Sequence, residues 1–323
     1  MNKLLGTVLT SALTISLLAG CGTSTSNKKK VGIIQFMDHI SLNEIKDSFD
    51  KEMKTLGYDD KNIEYTFKNG QGDTNTCASI ANDFAGKNFD CVMAIATPAA
   101  QAVAKLATKT PVVFSAVTDP VGAQLTSSLS KPDKNITGTS DEVQVDQIID
   151  KALEINPNTK TIGMLYNKGE ANSVTNIKKA KAYCAEKNIK VEEATIASVN
   201  EAQSAVNVLN SKCDAIFAPN DNTVASAMNV VSDACKKANK PLYVGADSMV
   251  KDGGFLSVGI DYKELGKETA KIVDKVLKGN KVENIPVKVF KTNLKIYVNT
   301  TTKDKLGIKL PENITSDSKY TEI

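Results

Sequence analysis

Short apolar runs rich in β-branched residues alternate with longer amphipathic segments from residue 31 onward. In the first half of the chain the apolar runs are 31–36, 63–67, 91–96 and 112–116, and helical patterns occupy 42–56, 73–86 and 98–108 between them. Alternation of this kind is typical of parallel sheets built from βαβ units. The pattern therefore predicts an α/β fold.

The same order of elements returns in the second half. The runs 161–166, 213–218 and 241–246 correspond in spacing and character to 31–36, 90–96 and 111–116, and a helix is predicted over 222–237. We therefore predict two similar doubly wound parallel-sheet lobes joined by a hinge. Lobe 1 is expected to contain 31–139 and about 262–290, lobe 2 to contain 140–261 and about 291–323, with a third crossing within 285–293.

The segment before residue 31 has a different character. Residues 1–20 place one lysine before an apolar run with the proportions of a secretory signal peptide. Leu18-Ala19-Gly20-Cys21 resembles the bacterial lipoprotein signal, in which the cysteine thiol takes a diacylglycerol, although an ordinary signal peptide could also contain a cysteine. Residues 21–30 are polar, as expected of a flexible lipidated tether. We predict export and lipid anchoring at Cys21 to the outer face of the cell membrane.

Composition narrows the classes of ligand. The 323 residues carry 40 Lys+Arg against 37 Asp+Glu, a net charge of +3, which is no basic excess for binding nucleic acid. The chain contains neither arginine nor tryptophan. A guanidinium clamp for carboxylates is thereby excluded, and sugar binding by indole stacking is disfavoured.

Cysteine and histidine usage argues against a metal site. Beyond Cys21 the chain has five cysteines without CxxC spacing, at Cys77, Cys91, Cys184, Cys213 and Cys235, and a single histidine. A bridge between Cys77 and Cys91 is not established by the sequence. There is also no GxSxG, P-loop or GxGxxG motif, so we predict a protein that is not an enzyme and has no cofactor or metal.

Ligands of open parallel sheets bind beyond the carboxyl ends of strands. After the strand ending near residue 96 come Thr97, Pro98, Ala99 and Ala100, with Thr97 as the expected N-cap and Pro98 as the first helical residue. Without arginine, the N–H groups of this helix end would cradle a carboxylate. A well-capped helix without a ligand is the alternative.

Two further strand ends of the first half supply candidates. Gln35 and His39 lie at the end of the first strand, where the only histidine either lines the cleft or has a surface or capping role. The fourth strand leads into a loop of small residues that closes with an Asp-Pro turn, and its candidates are Ser115, Ala116, Val117, Thr118 and Asp119. Asp119 could equally cap that turn.

The strand ends of the second half carry amide, hydroxyl and carboxyl groups. The candidates there are Asn172, Ser173, Asn220, Asp221, Asn222, Asp247 and Asp261. A ligand ammonium needs a desolvated carboxylate facing it, for which we rank Asp221 before Asp247 and Asp261. Asn220, Asp221 and Asp247 could instead only cap the helices or turns that follow them.

Seven blocks in order resemble one known family. They are 94–101, 111–122, 135–141, 166–173, 221–226, 245–247 and 258–266. In these blocks the chain is similar to the substrate-binding lipoproteins of ABC transporters, in the tryptophan-binding, TrpX-like group. The resemblance implies a type I periplasmic-binding-protein fold that closes on an aromatic amino acid and delivers it to a permease driven by an ATPase. It also implies ligand contacts at Thr97 to Ala99, at 115–119, and around Asn172, Asp221 and Asp247.

Two positions depart from the family pattern. Asn220 stands where the family usually has threonine, and His39 is followed by Ile40 where the family often has His-Pro. Either side chain would offer a polar partner to a phenol hydroxyl, which would suit tyrosine. Phenylalanine and tryptophan also remain candidate ligands. A branched-chain amino acid or another small carboxylate is the alternative ligand. We expect a monomer, and a surface-exposed adhesion or host-contact role, alone or as a second function, is the alternative reading.

Overall fold

The structure is a computed structural model that describes residues 28–292 and 294–323. The predicted leader 1–20, Cys21 and the tether up to residue 27 lie outside the described residues. The described strands form two sheets, of six and seven strands. The predicted α/β class with two similar sheet-based lobes is confirmed.

The strands follow the alternation read from the sequence. In chain order they are β1 (Lys29–Gln35), β2 (Ile63–Asn69), β3 (Cys91–Ile95), β4 (Val112–Ser115), β5 (Ile136–Ser140), β6 (Thr161–Tyr166), β7 (Lys190–Thr195), β8 (Ala215–Ala218), β9 (Leu242–Val244), β10 (Leu256–Gly259), β11 (Lys288–Val289), β12 (Lys295–Val298) and β13 (Tyr320–Glu322). The interior strands are short and buried along their whole length, for example β3 and β4, as expected where helices cover both faces of a parallel sheet.

The helices lie between these strands. They are α1 (Ile40–Thr55), α2 (Thr74–Ala85), α3 (Thr97–Val103), α4 (Val145–Ile155), α5 (Ala171–Glu186), α6 (Ala202–Asn210), α7 (Asn222–Ser226), α8 (Met228–Lys237), α9 (Asp247–Lys251), α10 (Tyr262–Leu277), α11 (Thr300–Lys305) and α12 (Glu312–Thr315). The prediction of a single helix over 222–237 is wrong. The helix is interrupted at Ala227, whose N–H donates to the Val224 carbonyl. The helix predicted over 98–108 ends at Val103 and continues as a 3₁₀ turn.

The two sheets differ in one respect. The first has the order β11-β5-β4-β3-β1-β2 with every pairing parallel. The second has the order β13-β12-β10-β9-β8-β6-β7, in which β12 runs antiparallel to β10. β13 pairs parallel with β12 and is therefore also reversed. The sequence pattern did not predict these two reversed strands. Because the remaining strands are parallel, their carboxyl ends meet at one edge of each sheet.

The chain passes between the sheets three times. It leaves the first sheet after β5, returns through residues 260–261 to α10, and leaves again between β11 and β12. Helix α10 packs on α1 and on β3, β4 and β5, so it belongs to the first lobe although its sequence follows the second. No helix among the described residues combines the length and the apolar character that crossing a lipid bilayer requires.

The five cysteines of the described residues are buried in the two cores. Cys77, Cys91, Cys184, Cys213 and Cys235 are all unpaired in this part of the chain. Burial raises the pKa of the thiols of Cys77, Cys184 and Cys213 to about 11. They therefore pack as small apolar side chains, and the bridge between Cys77 and Cys91 is not formed.

The contact between α1 and α10 depends on a glycine. A Cβ atom at Gly266 would overlap Ser48 Oγ and the carbonyl oxygen of Ile45 on α1. We predict that Gly266→Ala lowers the free energy of unfolding by roughly 1–3 kcal/mol, because α10 must move away from α1. Gly259→Ala is the control, since a Cβ there meets nothing within 4 Å. Urea unfolding of both variants provides the comparison, and equal stabilities would contradict the predicted overlap.

Candidate functional site

A cavity lies where the carboxyl ends of the two sheets face each other. It comprises about 320 Å³ of space unoccupied by atoms, part of which is open to solvent. Both lobes supply its walls. The lining residues are His39, Ser41, Leu42, Ala96, Thr97, Ala116, Thr118, Asp141, Asn172, Asn220, Asp221, Asn222, Ala225, Ala246, Met249 and Tyr262.

Two strained alanines shape the wall formed by the first lobe. Ala96 and Ala116 follow the paired strands β3 and β4 and have φ angles of 80° and 56°. Residues with a Cβ rarely adopt such angles, and each costs of order 1–3 kcal/mol. Ala96, not Thr97, is the N-cap of α3, so the predicted capping role of Thr97 is wrong. Thr97 is instead the first helical residue, and its buried Oγ1 has no hydrogen-bond partner.

The first turn of α3 offers fewer donors than expected. Pro98 has no N–H, and the Ala100 N–H already donates to the Ala96 carbonyl at 3.0 Å. The Ala100 N–H, which was expected to point out of the helix end, is therefore engaged within the helix. The N–H groups of Thr97 and Ala99 occupy first-turn positions, which have no partner within a helix.

Asp141 joins the lobes beside the cavity. Its carboxylate accepts hydrogen bonds from Thr118 Oγ1 at 3.0 Å, from Asn220 Nδ2 at 2.6 Å and from the Tyr262 hydroxyl at 2.7 Å. Asn220 Nδ2 also donates to Thr118 Oγ1 at 2.7 Å. Burial raises the pKa of Asp141, while these three donors oppose that shift.

Two further buried carboxylates, Asp221 and Glu170, accept hydrogen bonds on the second-lobe side of the cavity. Asp221 accepts from Ser173 Oγ and from the N–H groups of Asn167 and Val224. Glu170 accepts from the N–H of Asn222 at 3.1 Å and from the hydroxyl of Thr223 at 2.9 Å. Burial raises the pKa of Asp221 and raises that of Glu170 to about 7, with the charge of Asp221 adding to the latter shift.

His39 connects the lobes through a neutral imidazole. Its Nε2 lies 3.1 Å from Asn222 Oδ1, and burial lowers the pKa of the ring to about 4. Nδ1 is out of contact with solvent and has no hydrogen-bond partner. His39 occupies the N-cap position of α1 but makes no side-chain capping bond there. His39 lines the cavity, which is one of the two roles predicted for it from the sequence.

Several predicted residues lie behind the cavity wall. Pro98, Ala99, Ala100 and Val117 are buried without lining it. Gln35 bonds to the Met37 carbonyl and Asn43, Ser115 bonds to Thr139 and Thr269, and Ser173 bonds to Asp221. These side chains support the residues that surround the cavity.

Three predicted carboxylates are engaged elsewhere. Asp119 accepts from the Gly122 N–H at 2.8 Å and closes its own turn. Asp261 caps α10 through the Lys263 N–H, and Asp247 pairs with Lys251 at 2.7 Å. Of the three carboxylates ranked for a ligand ammonium, only Asp221 lines the cavity.

The sequence predicted eight of the sixteen residues that line the cavity and did not predict the other eight. The missed residues are Ser41, Leu42, Ala96, Asp141, Ala225, Ala246, Met249 and Tyr262. Asp141 had a usable signal, since it directly follows β5 and obeys the same strand-end rule as the other candidates. Tyr262 opens α10 after a crossing between lobes, and only the folded chain brings it to the cavity.

Residues 30–321 match the family model of ABC transporter substrate-binding proteins. The chain belongs to this family. A relative named tyrosine-binding protein, from Clostridioides difficile, is 33% identical over 300 residues, covering 88% of this chain and 87% of the relative. The two-lobed fold is that of periplasmic-binding-protein type solute-binding proteins.

Two solved structures of substrate-binding proteins differ in how well they superpose. A Streptococcus pneumoniae ABC domain in complex with L-Trp is 38% identical and has a TM-score of 0.87, covering 92% of this chain and 100% of that one. The ligand-free, open structure of a Clostridium difficile substrate-binding protein with adhesive properties is 34% identical and has a TM-score of 0.69, covering 91% and 99%. The chain thus superposes better on the L-Trp complex than on the ligand-free, open structure.

The strain at Ala96 yields a testable expectation. Glycine adopts the same backbone conformation without a Cβ clash, and it costs only about 0.5–1 kcal/mol of additional chain entropy. We expect Ala96→Gly to raise the free energy of unfolding by about 1 kcal/mol. Ala99→Gly, within the helical part of α3, should lower it by about 1 kcal/mol. Urea unfolding measures both changes, and a loss in both variants would refute the strain at Ala96.

Proposed function

We propose that the protein is the substrate-binding lipoprotein of an ABC importer, which closes on an aromatic amino acid and delivers it to the membrane permease. The observation that carries this proposal is the cavity enclosed between the two lobes in a member of the substrate-binding family. The proposed role is binding and release without covalent chemistry. Tyrosine, phenylalanine and tryptophan are the proposed ligands.

The charges at the cavity suit the ammonium group of an amino acid. Asp141 and Asp221 line it, Glu170 lies just behind Asn222, and no lysine is among the lining residues. A ligand ammonium close to Asp141 or Asp221 would offset the cost of burying these carboxylates. An anion without a positive group would be repelled.

The first turn of α3 suits the ligand carboxylate. The Thr97 N–H and the unpartnered Thr97 hydroxyl are the donors available there. The strained Ala96 and the adjacent Thr97 both line the cavity. Without arginine in the chain, these fixed dipoles are the proposed substitute for a guanidinium group.

The remaining lining suits a large side chain with a polar edge. Leu42, Ala225, Ala246 and Met249 form apolar wall, while neutral His39 offers an imidazole to a phenol hydroxyl or an indole N–H. A tyrosine-binding relative and a solved complex with L-Trp support this class of ligand. A branched-chain amino acid would leave part of the apolar wall unfilled.

Closure of the two lobes is the proposed capture step. We propose that 31–139 with about 262–290, and 140–261 with about 291–323, move as units about the three crossings. The bonds from Asn220 to Thr118 and from His39 to Asn222 join the units in the closed arrangement.

The proposal also includes the surroundings of the protein. Cys21 is the proposed lipid anchor, which would hold a monomer at the outer face of the cell membrane. The proposed partners are the permease and ATPase subunits of the transporter.

The ligand class is tested by measuring melting temperature against the twenty amino acids. Stabilisation by tyrosine, phenylalanine or tryptophan is expected, because ligand that binds only the native state raises the melting temperature. Stabilisation only by leucine, isoleucine or valine would move the ligand to the branched-chain class. No stabilisation by any amino acid would sink the proposal.

Thr97 tests the carboxylate site. We expect Thr97→Val to weaken binding of the stabilising amino acid about tenfold, the equivalent of about 1.4 kcal/mol for one lost hydrogen bond. Thr97→Ser retains the hydroxyl and should bind within about threefold of the unmodified protein. Isothermal titration calorimetry gives the dissociation constants. Equal affinities of the valine and serine variants would exclude a contact from this hydroxyl.

The only histidine of the chain reports on closure. In tag-free protein saturated with ligand, the imidazole proton resonances should titrate with a pKa of about 4, because closure buries His39. Without ligand, opening should hydrate the ring and move its pKa toward about 6.5. Proton NMR between pH 3.5 and 8 measures both values. A pKa near 6.5 in the presence of ligand would contradict the buried position of His39.

A second function is surface contact. The observation in its favour is the structural relative from Clostridium difficile, which is described as having adhesive properties. Attachment of cells lacking the protein to host or matrix surfaces tests it. Unchanged attachment would count against an adhesive role and leave transport unaffected.

A further inference from the structure

Helix α1 of the first lobe runs along the short helix α9 of the second lobe, just outside the cavity. Ser41 and Ser248 share a hydrogen bond between their hydroxyls across this contact. One turn further along α1, Glu44 meets Lys251: its Oε1 and Oε2 lie 3.0 and 3.1 Å from the ammonium nitrogen. Neither Glu44 nor Lys251 lines the cavity, so this ion pair connects the lobes without reaching a ligand there.

Lys251 also offsets the negative charge of neighbouring carboxylates. Its ammonium lies 2.7 Å from Asp247 Oδ2, and carboxylate oxygens of Glu44, Asp247 and Asp261 all lie within 4.8 Å of one another. Three carboxylates at such separations repel. Lys251 contacts two of them, Glu44 and Asp247, while Lys263 of α10, in the same lobe as Glu44, lies 3.9 Å from Glu44 Oε1. The side chains of Lys251, Glu44 and Asp247 are only 26%, 16% and 1% exposed. Solvent and salt therefore screen this cluster less than a surface ion pair.

Opening of the lobes would affect the two ion pairs differently. Asp247 and Lys251 are four residues apart on one helix and stay together. Glu44 belongs to the other lobe, so its bonds to Lys251 exist only when the lobes are closed. Closing brings the Glu44 carboxylate next to Asp247, which is unfavourable unless the lysine lies between them.

We propose that Lys251 is an interlobe latch, a positioning residue that makes the closed state favourable and slows ligand release without touching the ligand. This inference rests on the proposed function, because a latch matters only if ligand is captured by closure. When the closed state is less populated, the apparent dissociation constant rises by the same factor. Because the latch acts after the ligand has entered, its loss should appear mainly in the dissociation rate.

The test compares Lys251→Met with Lys236→Met in the purified protein. Lys236 is 24% exposed and pairs with Asp233 within α8, so its ion pair does not cross between lobes. L-tyrosine and L-tryptophan are the probes, and stopped-flow fluorescence with calorimetry gives rates and affinities. We expect Lys251→Met to raise the dissociation constant about tenfold, mostly through faster dissociation, and Lys236→Met to change it by less than about twofold.

Glu44→Gln separates the latch from a general effect of losing Lys251. The ion pair predicts that Glu44→Gln also weakens binding and that the double variant is no weaker than Lys251→Met alone. Additive losses, or a Lys251→Met variant that binds like Lys236→Met, would overturn the latch while leaving the proposed function intact. If neither probe binds the unmodified protein, the proposed function fails instead.

If neither probe binds, hydrogen exchange of the ligand-free variants tests whether Lys251 acts as the latch. Faster exchange of the α1 and α9 amides in Lys251→Met than in Lys236→Met would support it. Equal exchange in the two variants would overturn it.

Discussion

The central constraint on this molecule is the burial of three carboxylates at the lobe interface without a basic partner among the described residues. Asp141, Glu170 and Asp221 are held by hydroxyl, amide and backbone donors. Neutral donors satisfy the oxygen atoms but leave the charge uncompensated, which is why burial raises all three pKa values. A cationic group beside these carboxylates would lower their pKa values, which is the role that the proposed function gives to the ligand ammonium.

The same donors connect the cavity to the arrangement of the lobes. Asn220 reaches Asp141 from the second sheet and Tyr262 reaches it from α10, and His39 meets Asn222 across the gap. Many of the side chains that line the cavity therefore also form the hydrogen bonds between the lobes. Just outside, Lys251 supplies the positive charge that the cavity wall lacks, at the point where α1 meets α9.

The predictable part of the site follows from strand ends. His39, Thr97, Ala116 and Thr118 were identified because each follows a buried parallel strand, and each lines the cavity. Asp119, Asp247 and Asp261 follow the same rule but are engaged locally, by a turn, by a lysine one helical turn away and by a helix end. The rule identifies an edge of the sheet and does not reveal which side chains already have a neighbouring partner.

By itself the sequence determined the two α/β lobes, the positions of most strands and helices and the absence of a guanidinium clamp, because hydrophobic period and composition are local properties. Only the tertiary structure decided that β12 and β13 are reversed, that Ala96 occupies the N-cap position of α3, and that Asp141 and Tyr262 reach the cavity. These features depend on contacts between residues far apart in the chain. Asp141 and Tyr262 become neighbours only when α10 packs against β5, and no pattern within either segment encodes that contact.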